Sequence, residues 1–522
     1  MQKNKQFDLV IIGSGPAAWS FLTSYAESNK FDFHSNSILV AELGPTKSSA
    51  KNIDEQNFYF QNVGHPFRIH ETMSSALGGT SNLWHGVIAP MDPIDFTFRD
   101  YICDVEWPIR YQDLIPWYKW VCAKCGWGDD SLFDMEKFED GADLGMADRS
   151  ERIFIEKTLL QTSPVKRFAA DWDALQKKFP NVEIATHTRV TKILAEQLSG
   201  DINSREFRVA GIKIVERNEK EYTIKCNQVV LAGGALHTPI LLLNSFPDWH
   251  RKNPTCSNWI GRNLMDHPMG PLCLIDTSQQ NAYVAKSTIK NGAHTLKSAL
   301  RLSPTEQQRN QLANTAFYLR PTLRKTKFSQ NENLKASSFA LLRKLKNGQI
   351  DLANLMQLIQ NPLTVFELLS LYLGHFQNTR HRIGYFITEQ RPFHLSRVML
   401  SQKQDKFGFQ HAQIDWQINP QDIVDLHKYL NIVGTAFFTT ETALLNELEA
   451  LLGSAAHHLG TCRMANSSEL GVTNSRGEIF NLKGSYVVDG SVFVTSGNAN
   501  PTLTIMANSA RVGNQAKCTK MK

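Results

Sequence analysis

Near the amino terminus, FDLVIIGSGPAA (7–18) sets a short apolar strand before a glycine-rich turn, the pattern of a buried strand feeding a helix. A second run, SILVAEL (37–43), ends in an acid, and QVVLAGGALHTP (228–239) again runs from an apolar stretch through small residues into a helical pattern. Between them, VEIATHTRVTKILAEQL (182–198), FRVAGIKIVER (207–217) and EYTIKC (221–226) alternate in the manner of a strand meander. From about residue 273 to 452 the pattern is a mixture of strand-like and helical pieces without glycine-rich turns, and VVDGSVF (487–493) restores a strand and turn near the carboxy terminus. The expected fold is mixed α/β: a Rossmann-like parallel sheet with an inserted meander, and a second domain of mixed sheet and helices. The expected division is 1–95, 151–272 and 453–522 for the cofactor-binding domain, 96–150 for a loop-rich covering segment rich in Trp, Tyr and Pro, and 273–452 for the substrate-facing domain.

The GxGxxA turn presents backbone N–H groups to a pyrophosphate at a helix N-terminus. Gly13 makes the tight turn, Gly15 admits the phosphate, Ala18 keeps the helix close to the sheet, and Ser14, Pro16 and Ala17 complete the loop. Glu42, closing the second strand, is placed to accept a ribose hydroxyl, which argues against a 2′-phosphate and so against NADP. Its distance from the glycines exceeds the usual spacing of about 20 residues, with the polar stretch 29–36 as a plausible insertion.

Composition narrows the classes. At 522 residues, with 42% hydrophobic and 20% charged residues, the chain is expected to fold as more than one domain. A net charge of +6 is too small for this length to imply nucleic acid. The eight cysteines are scattered, which suits a reduced cytoplasmic protein better than a disulfide framework. Cys122 and Cys125 form a CxxC, but no second pair completes a zinc set, and no metal is expected. The amino terminus lacks the features of a signal peptide, and no run reaches the length of a membrane helix. Residues 320–346 carry eight basic residues against Glu332, followed by apolar helical stretches up to 376. This segment reads either as a solvated face or subunit contact, which is preferred, or as a peripheral membrane contact.

Taken in order, GSGPAA, GGTSNLW (78–84), GGALHTP (233–239), GRNLMDHP (261–268), HHLGTCRM (457–464) and NANPTLT (498–504) resemble the glucose-methanol-choline (GMC) family of FAD-dependent oxidoreductases. The closing motifs and the WPIRYQDLIPWY stretch (107–118) are most similar to its pyranose oxidase and sugar dehydrogenase branch. The resemblance implies FAD and oxidation of an alcohol, such as a sugar, polyol or other secondary alcohol, by hydride transfer to flavin N5. It implies His457 as the catalytic base and Asn500 as the group that orients the substrate oxygen. Histidine suits a base because its ordinary pKa of about 6.5 lies near working pH. Asn500 followed by Pro501 also reads as a helix N-cap, and a helix starting at Pro501 and Thr502 would turn its positive end to the flavin pyrimidine. Asp489 corresponds to an acid near the flavin ribityl and pyrophosphate, although Asp-Gly is a common turn. Val190 matches a residue whose backbone meets adenine, and Ala232 ends the strand beside the nucleotide. Gly79 and Thr80 lie in the flavin-facing loop. Leu83 holds the place of a histidine that bonds flavin covalently in some relatives, so non-covalent FAD is expected, with His85 as an alternative attachment only if the loop is remodelled. His458 is expected to point elsewhere if its segment is extended, and to be a packed or hydrogen-bonded histidine. Glu389 is read as pairing with Arg391 or Arg397 at the surface in preference to meeting substrate. Competing readings are an NAD-linked dehydrogenase, a flavin-bearing lyase or photodecarboxylase, lipid- or sterol-directed chemistry at a membrane, and a degenerate binding module. The electron acceptor, whether oxygen, quinone or another, is left open.

Overall fold

The computed structural model describes residues 5–28, 33–47, 60–67, 69–128, 153–198, 203–276, 288–291, 293–322, 356, 359–360, 381–437 and 439–517. Arg320 apart, the basic run lies outside them, as does most of the apolar stretch that follows.

The strand Gln6–Ile12 is the centre of an eight-stranded sheet among the described residues. It pairs in parallel with Ile38–Ala41 on one side and Glu221–Leu231 on the other, and Val182–Ala185 extends the first side. The central strand is buried along most of its length, as a parallel strand covered on both faces must be. The expected meander is present: Thr188–Gln197, Phe207–Glu216 and Glu221–Leu231 pair antiparallel in succession. Ser485–Val487 returns from the carboxy-terminal region to pair in parallel with Glu221–Leu231. The helices Pro16–Ser28 and Thr502–Gln515 pack together, with the Ser509 hydroxyl donating to the Ala17 carbonyl at 2.6 Å.

The second sheet is antiparallel and nine-stranded among the described residues. Its middle strands are Pro268–Asp276, His381–Thr388, Thr315–Thr322, His294–Leu302 and Phe154–Gln161, and the helix Pro420–Phe437 covers one face. Phe317, Phe386, Tyr429 and Phe437 form the aromatic centre of that interface. Phe154–Gln161 and the first residues of Pro268–Asp276 thus join the antiparallel sheet, although the sequence division sets them with the cofactor-binding sheet. A small third sheet joins Arg397–Gln404, Gln410–Asp415 and Phe60–Asn62.

Glu389 is fully buried and receives two hydrogen bonds from Arg99, at 2.9 and 2.7 Å, and a third from the Asn314 backbone N–H at 2.9 Å. Arg391 instead binds Asp422 and Asp425. Both readings of Glu389 therefore give way to a buried ion pair with a residue 290 positions away, beyond the reach of local charge patterning. Asn314 passes the connection on to Asp92, Asp95 and Asn498, at 2.9, 2.8 and 2.7 Å, so this polar cluster anchors the segment just before Asn500.

Candidate active site

A cavity of about 1010 Å³ runs between the glycine turn at the head of the central strand and the histidine pair at the other end of the chain. Gly13, Ser14, Gly15, Pro16 and Ala17 line it, with Glu42, Gly79, Thr80, Leu83, Val190, Ala232, Asp489, Pro501 and Thr502, and with His457 and Asn500. Ala18 does not line it but is fully buried behind the turn, in keeping with a packing role.

Gly13 has φ +97°, and a Cβ there would lie 2.6 Å from the Ala232 carbonyl oxygen, so only glycine fits between the two strand ends. At Gly15 a Cβ would meet nothing within 4 Å, because that backbone faces open cavity. Gly79, φ +59°, crosses the turn so closely that a Cβ would sit 2.8 Å from the Gly15 α-carbon. The turn is braced from outside by Trp172, whose indole N–H donates to the Ser14 carbonyl at 2.7 Å. Ser14 donates its hydroxyl to Glu42 and accepts from the Gly78 N–H at 3.1 Å. Glu42 also accepts from the Gly44 N–H at 2.9 Å, and burial raises its pKa above the ordinary carboxyl value.

Asp489 lines the cavity, yet its carboxylate already serves the protein. One oxygen accepts from the Gly234 N–H at 2.8 Å and the Thr238 hydroxyl at 2.6 Å, and the other from the Ser491 N–H at 2.9 Å. It holds the first turn of the helix Gly234–Leu243 and caps the turn after itself while lining the cavity, so the turn reading is met. The carboxy-terminal helix begins at Thr502 with Pro501 at its cap. The Asn500 amide is directed to His457 Nε2, at 3.1 Å, and not to a helix N–H. The amino termini of the helices Pro16–Ser28 and Thr502–Gln515 both border the cavity, and their partial positive charge suits an anionic ligand.

His457 is reached through a second contact that the sequence reading left without a role. GRNLMDHP runs antiparallel to the 453–461 segment, with Met265 and Leu459 exchanging backbone hydrogen bonds and Pro268 opposite Ser454. This register brings Asp266 and His267 against the histidine loop. Asp266 accepts from the backbone N–H of His457 at 2.9 Å and of His267 at 2.6 Å, and from the Ser454 hydroxyl. Ser454 in turn accepts from the Ala456 N–H at 3.0 Å, which helps to hold Ala456 at φ +64°, an unfavourable backbone conformation for a residue with a Cβ. His267 Nδ1 lies 2.9 Å from His457 Nδ1, with the rings edge to face. Burial, reinforced by the neighbouring His267 and His458, holds the His457 pKa well below the ordinary histidine value. The imidazole is therefore neutral at pH 7, as a proton acceptor must be.

His458 is a packed histidine, as expected, although its segment is not extended. It lines the same cavity with its ring tilted against Phe67 at 4.7 Å, and its Nε2 is enclosed without a hydrogen-bond partner among the described residues. The same cavity wall carries Gln161 and Lys297 from the antiparallel sheet, joined at 3.0 Å. Neither stands in a recognisable motif, and only the pairing of Phe154–Gln161 with His294–Leu302 brings them together.

Two family models described as GMC oxidoreductase match residues 169–269 and 392–509, the second spanning the histidine pair, Asp489 and Asn500. Over these two segments, which together make up less than half of the chain, the sequence is similar to GMC oxidoreductases. It is 31% identical over 141 residues to a 2-methyl-1,2-propanediol dehydrogenase of Mycolicibacterium austroafricanum, covering 27% of this chain and 25% of that one. It is 45% identical over 56 residues to a cholesterol oxidase of Acinetobacter baumannii, covering 11% and 10% of the two chains. The matched segments thus span a quarter or less of these relatives. Over its whole length the fold is similar to that of pyridoxine 4-oxidase from Mesorbium loti, with a TM-score of 0.59, 16% identity, and 98% and 99% of the two chains covered. A variant of Aspergillus oryzae formate oxidase follows with a TM-score of 0.56, 15% identity and 98% of each chain covered. These relatives do not single out the sugar-oxidising branch of the family. Among the described residues no helix is long and apolar enough to cross a membrane, and no cluster of potential metal ligands occurs.

Proposed function

We propose that this chain binds FAD non-covalently and oxidises an alcohol to a carbonyl, with His457 as the base and Asn500 as the donor that orients the substrate oxygen. The observation that carries this reading is that one cavity is lined at once by Gly13 to Ala17 and by the His457–Asn500 pair, whose polar atoms are 3.1 Å apart. The residues present fit the cofactor: the open face at Gly15 leaves room for a phosphate against backbone N–H groups, and two helix amino termini offset its negative charge. FAD supplies the acceptor for the hydride that leaves the carbinol carbon.

The rest of the chemistry belongs to the chain. His457 Nε2 takes the hydroxyl proton as the hydride departs, so the oxygen's electron pair becomes the second C–O bond. The Asn500 amide N–H points at the same locus and fixes the oxygen, and an amide cannot itself act as the base. Glu42 and Ser14 hold the turn at the nucleotide end, and Asp489 holds the start of the helix Gly234–Leu243 along the cavity wall. Leu83 lies on that wall and offers no nucleophilic atom for a flavin bond.

The relatives are named for a diol, a sterol and, in a 6'''-hydroxyparomomycin C oxidase of Streptomyces lividus, an aminoglycoside. An alcohol-bearing small molecule is the shared class, and a polyol or other secondary alcohol is the form we favour. Anaerobic mixing of flavin-loaded protein with 2-methyl-1,2-propanediol, cholesterol, pyridoxine and a range of sugars and cyclitols tests the reading. Bleaching of the flavin band by at least one alcohol is expected, and a band unchanged by all of them would count against redox chemistry. Acid precipitation is expected to leave the yellow colour in the supernatant, and a yellow pellet would contradict non-covalent binding.

A further inference from the structure

We infer that His267 is a positioning residue that fixes the tautomer of His457, directing an unprotonated Nε2 into the cavity. This rests on the reading of His457 as the base. The argument begins at a group whose role is fixed by its chemistry. The Ser496 carbonyl lies 3.1 Å from His267 Nε2, and a carbonyl oxygen can only accept, so His267 Nε2 carries the hydrogen. With the ring neutral, His267 Nδ1 then holds a lone pair and can only accept. His457 Nδ1, 2.9 Å away, must be the donor. Its single ring hydrogen is used there, so Nε2 is left as the acceptor, opposite the Asn500 amide N–H at 3.1 Å.

The chain of bonds thus runs from the Ser496 carbonyl through two imidazoles to the cavity, and every donor meets an acceptor. The reverse order would set Nε2–H of His457 against the Asn500 amide N–H and leave two Nδ1 lone pairs facing each other. His267 is fully buried, which disfavours the alternative in which it carries a second proton.

Both ends of the relay are held. Gln390 accepts from the Asp266 N–H through its side-chain oxygen at 2.9 Å, and its backbone N–H donates to the Ser496 hydroxyl at 2.9 Å. Trp416 donates to the same side-chain oxygen at 3.0 Å. The segment bearing His267 and the carbonyl that sets its tautomer are therefore tied to one buried residue. An enzyme base oriented by a buried neighbour in this way gains by always presenting its lone pair to the substrate.

The test is a long-range nitrogen-proton correlation spectrum of the flavin-loaded full chain labelled with 15N-histidine. His457 signals are assigned by their loss in H457Q. Wild-type protein is expected to show His457 protonated at Nδ1 and bare at Nε2, and a wild-type spectrum with the hydrogen on Nε2 overturns the inference without any variant. In H267F, which offers no acceptor, the hydrogen is expected to move to Nε2. In H267N, whose amide oxygen can take the place of Nδ1, the wild-type pattern is expected to return. With an alcohol that reduces the wild-type flavin, H267F is expected to slow reduction about 100-fold or more, and H267N to recover most of that loss. If H457A reduces as fast as wild type, the base assignment itself fails. If H457A is inactive while H267F keeps the Nδ1 hydrogen and the wild-type rate, the base stands and the role of His267 falls.

Discussion

At the glycine-turn end of the cavity, residues 13 to 18 make their own turn and start their own helix. At the other end His457 depends on a partner 190 positions away for its orientation. The first site is built by local backbone geometry: a glycine with φ +97°, a neighbour facing open space, and a helix N-terminus. The second is built by register, because only the antiparallel run of 261–268 against 453–461 sets Asp266 and His267 beside His457. A locally built site tolerates little change within a few residues, whereas a register-built site can be weakened from distant segments.

The largest effect is expected at the local end. Gly13→Val drives side-chain carbon into the Ala232 carbonyl and forces an unfavourable φ, so the purified protein is expected to lose its flavin absorbance altogether. Retention of a full flavin complement would break the contrast at its first term. At the distant end, His457→Ala is expected to keep the flavin but slow its anaerobic reduction by an alcohol about 100- to 10,000-fold, the range for removing a general base. Stopped-flow absorbance measures it, and loss of flavin in this variant would show that the two ends are not separable.

Smaller changes reach the His457 end from further off. Glu389→Ala leaves buried Arg99 without its main partner, an effect of about 3 kcal/mol on unfolding free energy. Urea titration is expected to show it, and a wild-type midpoint would mean that Asp95, 3.8 Å from Arg99, suffices to balance the charge. The smallest effect is a displaced pH limb. Because burial and the neighbouring histidines lower the His457 pKa, its neutral form persists below the ordinary value of about 6.5. The reduction rate should stay level as pH falls through 6.5 and decline only in more acidic solution. A fall centred at 6.5 would indicate a solvated imidazole.

The contrast also explains what could be read from residues alone. The glycine turn, the second strand with Glu42 and the meander were legible because each is decided by neighbours within a few positions. Motifs singled out His457 and Asn500, and the fold sets both on one cavity with their polar atoms 3.1 Å apart. His267 stood in a quoted motif, but its role depends on which strand-like segment lies beside it. Glu389 misled for the same reason: Arg391 is near in sequence, yet Arg99 is near in space. His458 was legible as a packed histidine, but strand alternation does not apply to it, because Ala456 is left-handed and the loop around it irregular, and both histidines line the cavity.

The most direct test of the account is a crystal structure of the flavin-loaded protein. The account predicts the pyrophosphate against the N–H groups of the 13–17 turn and the reactive edge of the isoalloxazine within substrate reach of His457 Nε2. A flavin whose phosphates lie elsewhere, or whose ring system is remote from His457, would contradict it.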